Sequence, residues 1–294
     1  MSRDRHHRGM TDVTLSRASD FSSGSLVVRA MQGLGLLQRR SMFWWWDRAI
    51  NFGDWIGPLI YEWRTGVRPL FRSVGGQARG RYFVTVGSIL HLGHKPGCAV
   101  VWGSGSLSDQ HPTCIPAEIH AVRGPGTRAL LSRNGVKCPD IYGDPGILID
   151  RILGGRRAEP EHDLGIIAHF HEADALPREL AADPSVLKID VARDVQAVHS
   201  DIARCRAVAS SSLHGLVVAH ALGVPALWVR FKPGAHLSEF KFRDYFAGVG
   251  HGDSPAPVLV AGSVSARDLV SRALAAPRPD LFRPAERLLA ACPF

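Results

Sequence analysis

Short apolar runs, set apart by polar and glycine-bearing stretches, recur along most of the chain. Arg81-Tyr82-Phe83-Val84-Thr85-Val86, Cys98-Ala99-Val100-Val101-Trp102 and Ile119-His120-Ala121-Val122-Arg123 read as strands, apolar enough for a buried parallel sheet. A helix is predicted from Thr127 to Asn134, with Gly135 stopping it. A second series has strands at 164–169, 186–190, 206–210 and 225–230, with helices between them. Within it, Ala207-Val208-Ala209 leads into Ser210-Ser211-Ser212-Leu213-His214-Gly215, an apolar helix, a stop at Gly223 and a further strand. The serines are suited to cap the first free amides of that helix. Upstream, residues 25–40 pattern as a short amphipathic helix, and Phe43-Trp44-Trp45-Trp46 as a strand whose alternate rings face opposite sides. The tail, about 264–292, reads as two helices broken by Pro277 and Pro279.

Strands alternating with helices imply an α/β fold with parallel sheets. The charged stretch from Arg151 to Asp163, with Gly154-Gly155 and Pro160, interrupts the pattern and marks a domain boundary. The expected organisation is a basic, disordered N-terminal segment (1–40), an N-terminal α/β domain (41–155), and a C-terminal α/β domain that ends in helices (156–294). Two Rossmann-like parallel-sheet domains would face each other across a cleft.

Composition narrows the classes. The chain has 294 residues, 45% hydrophobic and 21% charged, as in a globular protein. Its net charge is +8, and only five residues are lysine, so arginine supplies most of the positive charge. The arginines are dispersed apart from Arg3, Arg5 and Arg8, which argues against nucleic acid; an arginine-rich proteome accounts for most of them, and attraction to anionic small molecules or an acidic membrane surface is the sharper alternative. Five cysteines with no Cys-x-x-Cys indicate neither a disulfide framework nor a zinc knuckle. The longest apolar candidate for a membrane span, 216–229, is too short and contains His220 and Pro225, and no signal peptide is evident at the start. A cytoplasmic protein, free or peripheral to the inner face of the membrane, is the expectation.

In parallel α/β sheets, ligands bind at the carboxyl ends of strands. Several polar residues fall there. His214 lies in the first turn of a helix whose N-terminus is a ready anion site, with Ser211 and Ser212 just before it. Arg123 ends a strand, and its guanidinium fork suits a carboxylate or phosphate. His169 ends the first strand of the second half, and Lys232 follows the last. His169-Phe170-His171 makes a weak metal site, and no metal is expected. Ser104 lies in Gly103-Ser104-Gly105-Ser106, a glycine loop without the lysine of a phosphate-binding loop. Asn51-Phe52-Gly53-Asp54 is a tight turn, with Asp54 placed to cap the next helix; Asp144 in Gly143-Asp144-Pro145-Gly146 reads as a turn or cap residue. Lys241 lies on a helix read as a solvated basic face, with Phe242 and Tyr245 packed inward. Trp46 is either a core ring or a sugar-stacking ring.

Taken in order, Asn51-Phe52-Gly53-Asp54, Val122-Arg123-Gly124-Pro125-Gly126-Thr127 with Gly143-Asp144-Pro145-Gly146, Gly165-Ile166-Ile167-Ala168-His169 and Ser212-Leu213-His214-Gly215 resemble the motif series of the polysaccharide pyruvyltransferase family. The resemblance runs from about residue 43 to about 246. Where some members carry arginine before Leu-His-Gly, this chain has Ser212, so that anion ligand must come from elsewhere. The resemblance implies a GT-B-like architecture and pyruvyl transfer from phosphoenolpyruvate, a co-substrate, to a hexose of an exopolysaccharide or its lipid-linked precursor. A cyclic ketal forms and phosphate is released, with no cofactor. It implies catalytic roles for His214 and Asp54. It implies donor binding by Arg123, Lys232, Ser211, Ser212, His169 and Lys241, and acceptor contacts from Asn51, Gly53, Trp46 and Ser104. A nucleotide-sugar glycosyltransferase of the same architecture and a non-catalytic saccharide-binding protein are the alternatives.

Overall fold

The computed structural model describes residues 42–44, 51–71, 80–92, 94–109, 115–153, 159–233, 238–252, 254–262 and 264–294. Among these residues the strands form two sheets in which every pairing is parallel. The first holds β1 (Met42–Trp44), β2 (Leu70–Phe71), β3 (Tyr82–Val84), β4 (Ala99–Trp102) and β5 (Glu118–Ala121) in the order β2-β1-β3-β4-β5. The second holds β6 (His162–Ile167), β7 (Val186–Lys188), β8 (Cys205–Ser210), β9 (Ala226–Arg230) and β10 (Val258–Leu259) in the order β10-β9-β8-β6-β7. Val84 pairs with Val101 in the first sheet, and Val208 with Ala226 in the second. The fold is therefore mixed α/β, as the alternation of patterns predicts.

The helices are α1 (Phe52–Thr65), α2 (Pro125–Arg133), α3 (Ile149–Leu153), α4 (Arg178–Ala182), α5 (Val195–Ala203), α6 (Leu213–Ala221), α7 (Glu239–Gly248), α8 (Ala266–Ala275) and α9 (Phe282–Ala290). Two sequence expectations change here. Asn51, rather than Asp54, caps α1: its side chain accepts from Gly53 N at 3.0 Å, which puts Asp54 inside the first turn. The serines before α6 do not cap it. Ser210 Oγ accepts from Ser212 N and donates to Ser212 O, and Ser212 makes no side-chain cap, so the first-turn amides stay open. α3 carries Ile149 and Ile152 into the core. The expected helix over 25–40, Trp46 and residues 154–158 lie outside the described residues.

One apolar core runs through both halves. Ile56 and Ile60 of α1 pack with Trp102 of β4, Val198 and Ile202 of α5, Leu216 and Val217 of α6, Phe242 of α7 and Leu288 of α9. The amide of Phe52 donates to Val191 O at 2.9 Å, tying the start of α1 to the second sheet's side. The chain end returns to the first sheet: Trp102 Nε1 donates to Leu288 O at 3.0 Å, and the Phe294 ring packs edge-on against Tyr61, Phe83 and Trp102. No described helix is long and apolar enough to cross a membrane.

Gly124 lies tight against α7, where a Cβ on it would be 1.8 Å from Asp244 O. Neither backbone can yield without moving α2 from α7. Gly124→Ala is expected to destabilise the protein by about 3 kcal/mol. Gly66→Ala, with a φ of 71° but open space around it, is expected to cost about 1 kcal/mol. Urea unfolding of the two variants measures the difference.

Candidate active site

The carboxyl ends of strands from both sheets open on a cavity of about 300 Å³. Asn51 and Asp54 line it from the start of α1, and Ser88, Ile89, His91 and Leu92 from the loop after β3. His169, Phe170 and His171 line it after β6, Ser212, Leu213 and His214 at the start of α6, and Ser238 and Lys241 around the start of α7.

Burial sets the electrostatics of this cavity. It pushes the Asp54 carboxyl up to about 7; Asp144 adds to the rise, while His214 and Lys241 pull against it. Burial likewise pushes the Lys241 ammonium down to about 8, aided by Arg123 and opposed by Asp54 and Glu172. His169 is pushed down to about 3 by burial, then by Lys241 and His171, so it is a neutral ring near pH 7. The cavity thus pairs a carboxyl that exchanges its proton near neutrality with a mostly protonated lysine.

Backbone shape brings these groups together. The imidazole of His214 lies on the Gly53 backbone, where a Cβ would be 2.0 Å from Nδ1. Phe52 meets the same ring edge-on. Gly87 has a φ of 108°, and a Cβ on it would lie 3.3 Å from Asp54 Oδ1. Lys241 is held by α7, which docks on α6 and β9. His220 Nδ1 and the Tyr245 hydroxyl are hydrogen-bonded at 3.0 Å, and Phe242 stacks on Trp228 with centroids 4.3 Å apart. Phe242 and Tyr245 do pack inward, as the sequence predicts. Lys241 is not on a solvated face, however; it is only 7% exposed.

The remaining expected residues sit around the cavity. Arg123 is fully buried behind its wall. Its Nε donates to Asp244 Oδ2, its Nη1 to Ser88 Oγ at 2.6 Å and its Nη2 to Ser106 O at 2.6 Å. Ser104 Oγ donates to Gly87 O and fixes the loop that carries Gly87. Ser211 Oγ accepts from His169 N, joining the turns after β6 and β8. Lys232 does not line the cavity: its ammonium donates to His171 O at 2.9 Å and pairs with Asp174 at 2.7 Å.

Sequence reasoning missed Ser88, His91 and Leu92, which stand in an undistinguished loop, and Asp244, the buried counter-ion of Arg123. It also missed Glu172, whose Oε1 accepts from Phe231 N and Lys232 N and so links the ends of β6 and β9. The sequence signal for Asp244 was its place three residues after Lys241 on one helix, which gives both the same face.

Comparisons with known proteins agree with the motifs from Val122 to Gly215, and the family match does not reach Asn51-Phe52-Gly53-Asp54. Residues 116–233 match the family model described as polysaccharide pyruvyl transferase, a segment that holds Arg123, Asp144, His169, Glu172 and His214. The chain is 36% identical over 177 residues to the uncharacterized protein L143 of Acanthamoeba polyphaga mimivirus, covering 58% of this chain and 60% of that protein. The chain thus spans about three-fifths of the length of the curated relative it matches.

The Asp54 shift carries a stability consequence. The folded carboxyl holds its proton up to about 7, against an ordinary value of 3.8. The stability associated with that proton is complete below about 4 and is lost as pH rises through about 7. Asp54→Asn, which cannot ionise, is expected to be more stable than the parent at pH 8 by up to about 4 kcal/mol. The advantage should vanish towards pH 4. Thermal melts across this range measure it.

Proposed function

We propose, on the premise that the chain belongs to the polysaccharide pyruvyltransferase family, that it moves the pyruvyl group of phosphoenolpyruvate onto two hydroxyls of one saccharide residue. The products are a cyclic ketal and inorganic phosphate. The observation that carries this reading is the meeting of Asp54, His214, Lys241 and the open amides of α6 in one cavity.

In this reading the donor's phosphate and carboxylate lie against Lys241 and the N-terminus of α6. There, amides and the positive end of the helix dipole favour anions. Lys241 supplies the cation that Ser212 cannot. His214 protonates the methylene carbon, leaving C2 electrophilic. The first saccharide hydroxyl attacks C2, and Asp54 takes its proton. The C2–O bond to phosphate then breaks, and the second hydroxyl attacks C2 while its proton passes to the leaving phosphate. Atoms balance: one phosphoenolpyruvate and one diol give one ketal and one phosphate. Asp54 suits the base role because burial holds its carboxyl at about 7 rather than below 4. Asn51 and Ser88 provide hydrogen bonds for the acceptor, and the exposed ring of Phe170 provides a face for it to stack on.

Arg123 acts from behind the wall by fixing Ser88 and Asp244. Lys232, with Glu172, braces the loops after β6 and β9. The two sheets serve as the Rossmann-like halves of a GT-B-like arrangement, with the acceptor on the first and the donor on the second. The net charge of +8 suits a phosphorylated donor and a lipid-linked acceptor at an anionic membrane face.

Calorimetry with phosphoenolpyruvate and a panel of nucleotide sugars tests the reading. Phosphoenolpyruvate is expected to bind, and Lys241→Met to weaken it at least tenfold, or about 1.4 kcal/mol. The methionine retains the apolar stem of the lysine. Binding of a nucleotide sugar in place of phosphoenolpyruvate would overturn the reading in favour of glycosyl transfer. With a working acceptor, turnover should rise with pH through about 7 as Asp54 ionises, and Asp54→Asn should abolish it.

A further inference from the structure

Two buried polar atoms face each other beside the cavity, and neither has a hydrogen-bond partner. They are Oδ2 of Asp144 and Nε2 of His214, 3.6 Å apart. Both side chains are almost wholly enclosed. An orphaned carboxylate oxygen is costly in such surroundings, and so is an orphaned ring nitrogen. The separation is just beyond hydrogen-bond length, and contacts of this kind commonly tighten when a ligand fills the site.

The turn carrying Asp144 is built to make this approach. Gly143 has a φ of 145°, and a Cβ on it would meet Leu288 Cδ1 at 2.6 Å. Asp144 Oδ1 accepts from Gly146 N at 2.9 Å and caps the short 3-10 turn Pro145–Leu148. Gly146 in turn lies against Val217 of α6, where a Cβ would be 2.9 Å from Cγ1. One oxygen of Asp144 is thus spent on its own turn, and the turn is packed on the helix that bears His214. The other oxygen lies 3.6 Å from Nε2 of the imidazole. A turn residue needing nothing more than a cap would not require its second oxygen to be buried without a partner.

We propose that Asp144 is a positioning residue: its Oδ2 accepts Nε2–H of His214, fixing the ring's tautomer and orientation so that Nδ1, over Gly53, is the nitrogen that takes up, as the imidazolium forms, the proton His214 then gives. This rests on the pyruvyl-transfer reading only for what Nδ1 then does. The dyad itself stands on geometry.

Nitrogen-15 NMR of the histidine rings, with the His214 signals identified by their loss in His214→Ala, tests the proposal in the full chain without substrate. Resting His214 is predicted to be the Nε2–H tautomer at a pH where the ring is neutral. Asp144→Asn keeps the cap through its amide oxygen but turns an NH₂ donor toward Nε2. It is predicted to convert His214 to the Nδ1–H tautomer while the thermal midpoint stays within a few degrees. An Nδ1–H tautomer in the parent protein would overturn the dyad, as would an unchanged His214 spectrum in a folded Asp144→Asn. Calorimetry with phosphoenolpyruvate on the same samples separates the two readings. The tautomer result judges the dyad, and donor binding judges pyruvyl transfer.

Discussion

The buried ion pair between Arg123 and Asp244 organises the site without touching its cavity. Both side chains are fully enclosed, and the guanidinium spreads its donors over three parts of the chain: Asp244 on α7, Ser88 after β3 and Ser106 after β4. Asp244 in turn accepts from the amide and hydroxyl of Thr127 at the start of α2. Removing one partner of such a pair leaves an uncompensated buried charge, at a cost of about 3–5 kcal/mol. The pair therefore fixes the placement of α7. Lys241 lies one turn before Asp244 on that helix, so the cavity's cation inherits its position from a contact on the other side of the wall. Gly124 and Gly248 allow the approach: a Cβ on Gly248 would be 2.0 Å from Arg123 O.

Within the cavity the governing effect is the removal of water from charged groups. Desolvation disfavours every charged form, raising carboxyls and lowering amines. Asp54 and Lys241 move toward each other on the pH scale, to about 7 and about 8. A carboxyl and an ammonium in bulk water would sit far apart and exchange no protons near neutrality. Burial here brings Asp54 into titration near neutrality and keeps His169 neutral.

Much of the fold was legible in the sequence because parallel strands bury both faces and leave unbroken apolar runs. Ala99–Trp102 and Cys205–Ser210 were visible for that reason. The edge strands Leu70–Phe71 and Val258–Leu259 were not, since two residues carry no periodicity. Motif spacing brought Asn51, Asp54, His169, Ser212 and His214 to the cavity. It did not separate Lys232 from Lys241, because both follow strand β9 and only packing decides which faces inward. Arg123 was legible as important but not as enclosed: a strand-end arginine looks the same from sequence whether it meets a ligand or an aspartate 121 residues away. The serine cap of α6 was misread because serine hydroxyls serve neighbouring backbone as readily as helix amides.

The central proposal is that the cavity at the strand ends of the two sheets takes phosphoenolpyruvate on its second-sheet side, against α6 and Lys241. A crystal structure of the protein with phosphoenolpyruvate tests it most directly. The account predicts an anionic group of the donor on the Leu213 and His214 amides, Lys241 within hydrogen-bond distance, and the methylene carbon beside His214. Donor density on Lys232 and Asp174 outside the cavity, with the cavity itself empty, would contradict it.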